Sequence, residues 1–167
     1  IDSQTSEEMA KQKGTPKKHG EESPFRNRKK DESLKIFKEM FDGEHNQGQH
    51  VLRAKIDMTS PNMLMRDPVL YRVMNVDHHR TKDNWKVYPM YDWTHGESDY
   101  IEQISHSLCT LEFEPHRELY DWFLDAISPL KGIRPKQREF SRLNLSYTIT
   151  SKRKLAELVE RKLVEGW

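Results

Sequence analysis

YPMYDWTHGESDYIEQISHSLCTLEF, residues 88–113, is the least ordinary stretch of this chain. It holds the only Cys, Cys109, and two of the eight His, His95 and His106. Directed hydrogen-bonding groups are interleaved there with apolar ones, a mixture that lines small polar pockets. Asp92–Gly96 reads as a loop. Ser98 reads as the N-cap of a helix from about Asp99 to Leu108, with Tyr100, Ile101, Ile104 and Leu108 turned inward. Thr110–Phe113 reads as a short, buried extended segment. Pro115 then opens a second helix, in which Leu119, Trp122, Phe123 and Ile127 share one stripe. Beyond a Pro/Gly connection (Pro129, Gly132, Pro135), Leu143, Leu145, Tyr147 and Ile149 alternate with polar residues as in a strand. Helix, strand, helix, strand is the rhythm of an α/β layer.

Upstream, Ile1–Arg28 is polar and punctuated by Gly, Pro and Ser, so it reads as a loop. It is either solvated or, through Lys17, Lys18, His19, Arg26 and Arg28, a mobile basic segment that meets phosphate. Asp31–Phe41 reads as a helix capped by Asp31, with Leu34, Phe37, Met40 and Phe41 on one face and Asp42-Gly43 at its end. In VLRAKIDM (51–58), Leu52, Ala54, Ile56 and Met58 face one way and Arg53, Lys55 and Asp57 the other, the pattern of a half-buried strand. Residues 69–74 and 85–88 read as further strands, with Pro89 interrupting the last or placing it at an edge. Residues 1–90 therefore form an α+β unit in this reading.

The chain has 167 residues, enough for one domain or two small lobes, and charged residues make up 33% of it. Mean hydropathy is −0.97, which predicts a soluble protein with a modest core. Lys and Arg number 28 against 27 Asp and Glu. Total charge therefore argues neither for nor against nucleic acid, and only its distribution can. A single Cys excludes an internal disulfide and argues against a Cys-type zinc site. His78 and His79 are neighbours that point to opposite faces of a strand, without a third ligand at metal spacing, so no metal site is expected. No run approaches the about 20 apolar residues of a membrane span, and the polar start IDSQTSEEMAKQ lacks a signal-peptide pattern. A cytoplasmic setting is expected. Both ends, at Ile1 and Trp167, read as cuts in a longer chain.

Thr150–Lys154 is a basic turn that leads into Leu155, Leu158, Val159 and Leu163 at helical spacing. A helix N-terminus favours acids, so three basic residues there break the local rule. Such a break is expected where an anion binds. Ser151 is placed to cap this helix or to bond a phosphate.

FSRLNLSYTITSKRKL, followed by VEGW, resembles the second signature region of class I aminoacyl-tRNA synthetases of the glutamine/glutamate group. RAKIDMTSPN, MRDPVLYRV, YPMYDWTH and SHSLCTLEF extend the resemblance upstream in the right order, from about Ser23 to Trp167. SHSLCTLEF is similar to the glutamine-specific branch. Glutamate-specific enzymes of the archaeal and eukaryotic type carry Arg where Cys109 stands, in a block nearer HALRTNEY. An Arg pairs with a substrate carboxylate, whereas a neutral thiol leaves room for an uncharged carboxamide.

The resemblance implies an α/β fold: the second half of a split, Rossmann-like nucleotide-binding domain at 91–167, with a KMSKS-like loop at 149–153. Residues 1–90 match an α+β insertion that binds the tRNA acceptor stem. The first half of the domain, with its HIGH signature, has no counterpart here. The implied activity is activation of glutamine with ATP and its transfer to tRNA, with the chain by itself inactive. The alternatives are a glutamyl-type enzyme and a non-catalytic module binding the tRNA acceptor.

By resemblance, Tyr91 hydrogen-bonds the glutamine amide, and His95, Cys109 and Gln137 line or support that pocket. Thr110 touches ATP. Arg142 and Leu143 hold the nucleotide, Leu143 through its backbone, and Thr150 and Ser151 belong to the loop around it. Lys152 stabilises charge as pyrophosphate leaves, with Arg153 as a second candidate. Mg2+ is expected with ATP, and the protein is expected to be a monomer without membrane contact. Two departures stand out. Thr150 replaces the usual Met, and Pro115 stands where some relatives place an acidic residue against the acceptor stem.

Overall fold

The computed structural model describes residues 1–127, 129 and 131–166; Trp167, which ends the VEGW block, lies outside the described residues. Its start is not a loop. Ser6–Gln12 is a helix (α1) set by a capping box: the Glu8 amide donates to the Thr5 hydroxyl, and the Thr5 amide donates to the Glu8 carboxylate. The Thr-x-x-Glu signature was present in the sequence. Lys30–Asp42 forms α2, which begins one residue before Asp31 and has no side-chain cap. Gly43, at φ +81°, ends it in the left-handed conformation that suits glycine. Only Met40 of α2 is buried, and Leu34 is 54% exposed, so its apolar face is narrower than the spacing implies.

Val51–Arg53 (β1), Val69–Val73 (β2) and Val87–Pro89 (β3) make an antiparallel sheet in that order. Pro89 sits on an edge strand, where its missing N–H costs nothing. β1 is shorter than the expected strand because the register slips between Leu52 and Arg53. The alternation nevertheless survives past the break: Ala54 and Met58 are buried while Lys55 and Asp57 are exposed. Met40, Val73 and Val87 form one core, joined by Ile36, Phe37 and Tyr71.

The central stretch is built differently from the expectation. Tyr91–Ile101 is helix α3, so Asp92–Gly96 is helical and Ser98 lies inside the helix. Gly96 is buried against Tyr120, a small residue where two helices approach, and is not a breaker. His106–Thr110 is strand β4, where a helical continuation was expected. Leu111–His116 is a 3-10 turn containing Pro115, not an extended segment. Arg117–Ala126 is helix α4, which buries Leu119, Tyr120, Phe123 and Leu124. Lys136–Phe140 is strand β5, and it pairs in parallel with β4 from His106↔Lys136 to Thr110↔Phe140. Residues 141–150, expected to hold a strand, form none, and Leu143 is 77% exposed. Lys152–Glu160 is helix α5.

The architecture is thus mixed α/β, with a three-stranded and a two-stranded sheet among the described residues. A second core joins Ala54 and Met65 to Leu119 and Phe123, with Leu70, Trp93 and Trp122 against it. It draws on residues from both sides of position 90 and so ties the first sheet to α3 and α4. Replacing Phe123 with Ala should destabilise the protein by about 3–5 kcal/mol, since the site is closed on all sides. Leu143→Ala should change it by less than about 0.5 kcal/mol, as an exposed side chain does. Urea unfolding followed by Trp fluorescence reads both, and equal effects would contradict the placement of residues 141–150.

Candidate functional site

Tyr91, His95 and Asp99 follow one another at i, i+4 and i+8, so a single face of α3 carries all three. The Tyr91 and His95 rings stack with centroids 5.4 Å apart. His95 Nε2 lies 2.9 Å from the Ser107 hydroxyl and 3.3 Å from the Asp99 carboxylate. Tyr120, from α4, donates its hydroxyl to Asp99 at 2.9 Å. Burial, reinforced by Asp99, pushes the Tyr120 phenol well up, so it stays a hydrogen-bond donor. Burial likewise raises the Tyr91 phenol.

The inner face of the two parallel strands completes this wall. Ser107 pairs with Gln137 and Cys109 with Glu139. Gln137 is only 2% exposed. Its Nε2 donates to the Phe113 carbonyl (3.0 Å) and to Glu139 (2.8 Å), whereas its Oε1 is buried with no partner among the described residues. The Phe113 ring in turn lies 5.7 Å from that of Tyr91. Glu139, its side chain 3% exposed, is held by a two-pronged contact from Arg117, whose Nε sits 3.0 Å from Oε1. The Arg117 guanidinium pulls the Glu139 carboxyl down to about 2. The Cys109 thiol is pushed up by burial and by the nearby Glu139, against the opposing pull of Arg117. It is a neutral thiol at neutral pH, not a thiolate nucleophile.

The structure therefore brings Tyr91, His95 and Gln137 into one connected cluster, with Cys109 on the same strand face. Sequence reasoning missed the residues that hold them: Asp99, Ser107, Phe113, Arg117, Tyr120 and Glu139. The helical spacing 91/95/99 and the alternations Ser107/Cys109 and Gln137/Glu139 were the available signals.

A second group lies at the start of α5. Arg142, Thr150, Ser151, Lys152 and Arg153 line one open concavity together with Lys154 and Ala156. Leu143 is not among these lining residues. Ser151 occupies the N-cap position in an extended conformation without a side-chain cap bond. No acidic residue stands in the first turn, so the amides and cations there face one way electrostatically. Thr110 ends β4 and is not among the residues lining this concavity. Its hydroxyl, the local backbone and the charge of Arg142 hold the Glu112 carboxyl below the usual carboxylate range. Among the described residues no group of three or more His, Cys, Asp or Glu could hold a metal ion.

The model of the family described as tRNA synthetases class I (E and Q), catalytic domain, matches residues 1–167. The chain belongs to this family. It is similar to proteins named glutamine--tRNA ligase: 55% identical over 174 residues in Cupriavidus metallidurans, 56% over 168 in Pseudomonas syringae pv. tomato, and 57% over 163 in Pseudomonas putida. The first two matches cover 100% of this chain and 29% of the relative, and the third 98% and 28%. The chain thus spans less than a third of the length of the curated relatives it matches.

Glu139 offers a pH test of this architecture. Its folded pKa lies below the ordinary 4.5, at about 2, so its ion pair stabilises the fold above pH 4.5. That contribution is lost as pH falls towards 2. Stability measured against pH should show a wild-type advantage over Glu139→Gln that is full above pH 4.5 and fades below it. A constant difference across that window would exclude the paired carboxylate.

Proposed function

We propose that this chain is the part of a glutamine–tRNA ligase that reads the side chain of glutamine and holds the leaving pyrophosphate. Residues 91–167 supply the second half of the nucleotide-binding domain, and 149–153 its KMSKS-like loop. Residues 1–90 are the insertion that meets the acceptor stem. Glutamine, ATP and tRNA are the substrates, Mg2+ travels on the ATP phosphates, and the enzyme works as a monomer in the cytoplasm. The segment alone is inactive in this proposal, because no His-x-Gly-His sequence is present to complete the ATP site.

The observation that carries the proposal is the neutrality of the wall around Cys109. The thiol is protonated, and the guanidinium nearby, Arg117, is already committed to Glu139. Among the described residues a substrate carboxylate finds no uncommitted guanidinium beside Cys109, whereas a carboxamide finds directed partners. The orphaned Gln137 Oε1 is an acceptor that suits an NH2 group, and the Tyr91 hydroxyl supplies a second polar contact. A buried acceptor left unpaired costs about 1–3 kcal/mol, so pairing it on binding favours the amide.

Lys152 and Arg153 sit in the first turn of α5, beside the free amides of the helix start. In this reading they balance the charge that builds as the glutamine carboxylate attacks the α-phosphate and pyrophosphate departs. The chemistry then needs positioning and charge stabilisation more than proton transfer. The basic N-terminal segment supports the tRNA part in a narrowed form. Arg26 is bound to Asp67 and Glu22, and Arg28 to the Ile1 carbonyl, Ser3 and Glu32. Both are structural. Lys17 and Lys18 are exposed, Lys18 in a solvent-facing contact with Glu21 at 3.4 Å, and are the proposed phosphate contacts.

The test uses the enzyme at the full length of its relatives. Aminoacylation should favour glutamine over glutamate, and Cys109→Arg should narrow that preference by at least about tenfold. Lys152→Ala should lower kcat by about 10²–10³ with a smaller change in the KM for glutamine. Equal use of glutamate by the wild type would overturn the assignment.

A further inference from the structure

Arg66 is the largest fully buried side chain, at 1% exposure, and it pairs with no carboxylate among the described residues. Burying a charge without an anion is costly unless other groups solvate it. Main-chain oxygens do so here. Nε donates to the Ser60 carbonyl at 2.7 Å, and Nη1 donates to the carbonyls of Lys13 (2.8 Å), Thr15 (3.0 Å) and Lys18 (3.0 Å). Three of these four acceptors belong to one short loop.

That loop, Lys13–Gly20, is closed from every side. Thr15 and Lys18 exchange backbone hydrogen bonds of 3.0 and 3.1 Å. His19 Nδ1 donates to the Thr59 carbonyl at 2.8 Å, and the Gly20 amide to Met58 at 2.9 Å. Gly14 has φ +74°, and a Cβ there would fall 2.5 Å from the Lys18 carbonyl oxygen. The fixed end is firm too. Asn62, two residues after Ser60, donates to the Pro115 carbonyl (2.9 Å) and to Glu118 (2.8 Å), tying the segment to the start of α4. Despite this, the tip of the loop, Pro16, Lys17 and Lys18, is exposed. The buried arginine orders the loop, and where a loop presents cations to a ligand such ordering is complete before binding.

We propose that Arg66 is a positioning residue, whose guanidinium fixes the Lys13–Lys18 loop in the free protein so that Lys17 and Lys18 meet the tRNA backbone without an ordering cost. The proposal rests on the tRNA contact assigned above to those two lysines. Lys at position 66 keeps the charge but cannot reach the same fork of carbonyls, and Ala at position 14 strains the loop while leaving the buried cation intact.

The experiment uses the full-length enzyme and a transcript of the tRNA that it charges with glutamine. In both Arg66→Lys and Gly14→Ala, amide exchange at Thr15 and Lys18 of the free enzyme should speed up by at least about tenfold. KM for tRNA should rise about five- to tenfold, with KM for ATP and glutamine within about twofold. Unchanged exchange in both variants overturns the clamp. Faster exchange with an unchanged KM for tRNA overturns the pre-organising role. A Lys17→Ala/Lys18→Ala variant separates this from the assigned contact. It should raise KM for tRNA and reduce its salt dependence by about one to two phosphate contacts while leaving exchange at Thr15 as in the wild type. If that variant binds tRNA as the wild type does, the contact itself is wrong, and the proposal falls with it even where the exchange data show a clamp.

Discussion

The parallel pairing of β4 with β5 is the constraint on which the candidate site depends. Two parallel strands cannot be joined by a tight turn, so the chain must leave one end of β4 and return to the other end of β5. The crossover is the 3-10 turn at Leu111–His116 followed by α4. It delivers three things to the inner face of the strands: the Phe113 carbonyl that receives Gln137, the Arg117 guanidinium that receives Glu139, and the Tyr120 hydroxyl that reaches Asp99. Packing of Leu119 and Phe123 against Ala54 and Met65 then fixes the crossover to the first sheet. The polar wall and the apolar core are thus two sides of one helix.

Next to that core, Arg66 and Asp67 are adjacent, buried and oppositely charged, yet each is satisfied elsewhere. Asp67 takes Arg26 at 2.6 Å and the Ile56 amide at 2.7 Å, and its φ of +40° is a conformation that Asp tolerates better than most residues. Arg66 takes the carbonyls of the N-terminal loop. One dipeptide therefore anchors two segments that are remote in sequence and have almost no apolar residues of their own. This explains how the polar first 28 residues are ordered without contributing much to the core. Hydrophobic burial is replaced there by hydrogen bonding around buried charges.

The difference between what the sequence made legible and what it hid follows the same physics. α2, β2 and β3 were readable because each turns apolar residues towards a core, which leaves a periodic trace. α1 was missed although Thr5 and Glu8 announce its cap, since nothing apolar follows at helical spacing. α3 was started too late because Gly96 and Ser98 look like a breaker and a cap. Packing against Tyr120 makes Gly96 an asset inside the helix. The alternation at Leu143–Ile149 is a true pattern without a partner strand among the described residues, and a ladder needs a partner before a pattern becomes a strand. β5 was invisible for the opposite reason. Its inward residues are Gln137 and Glu139, so a strand that faces a polar site reads as surface. The pocket residues themselves came from resemblance to a family, whereas the residues that position them came only from the structure.

Cys109 gains its meaning from that inward-facing polarity. A pocket can exclude a carboxylate by carrying no cation at all, or by carrying one whose charge is already taken. The pairing of Arg117 with Glu139 is consistent with the second device under the proposed function. Arg117 lies close enough to act on the Cys109 thiol, but Glu139 holds it and lowers its own pKa to about 2 in doing so. At neutral pH the Glu139 carboxylate is charged, since its pKa is lowered to about 2, and the pair keeps both charges. Glu139 also accepts from Gln137 Nε2, which leaves Gln137 Oε1 as the buried, unpaired acceptor. The same ion pair thus occupies the Arg117 guanidinium and, with the Phe113 carbonyl, orients the Gln137 amide. Neutrality of the wall depends on this one ion pair, whereas the direction of the Gln137 amide has a second anchor in the Phe113 carbonyl.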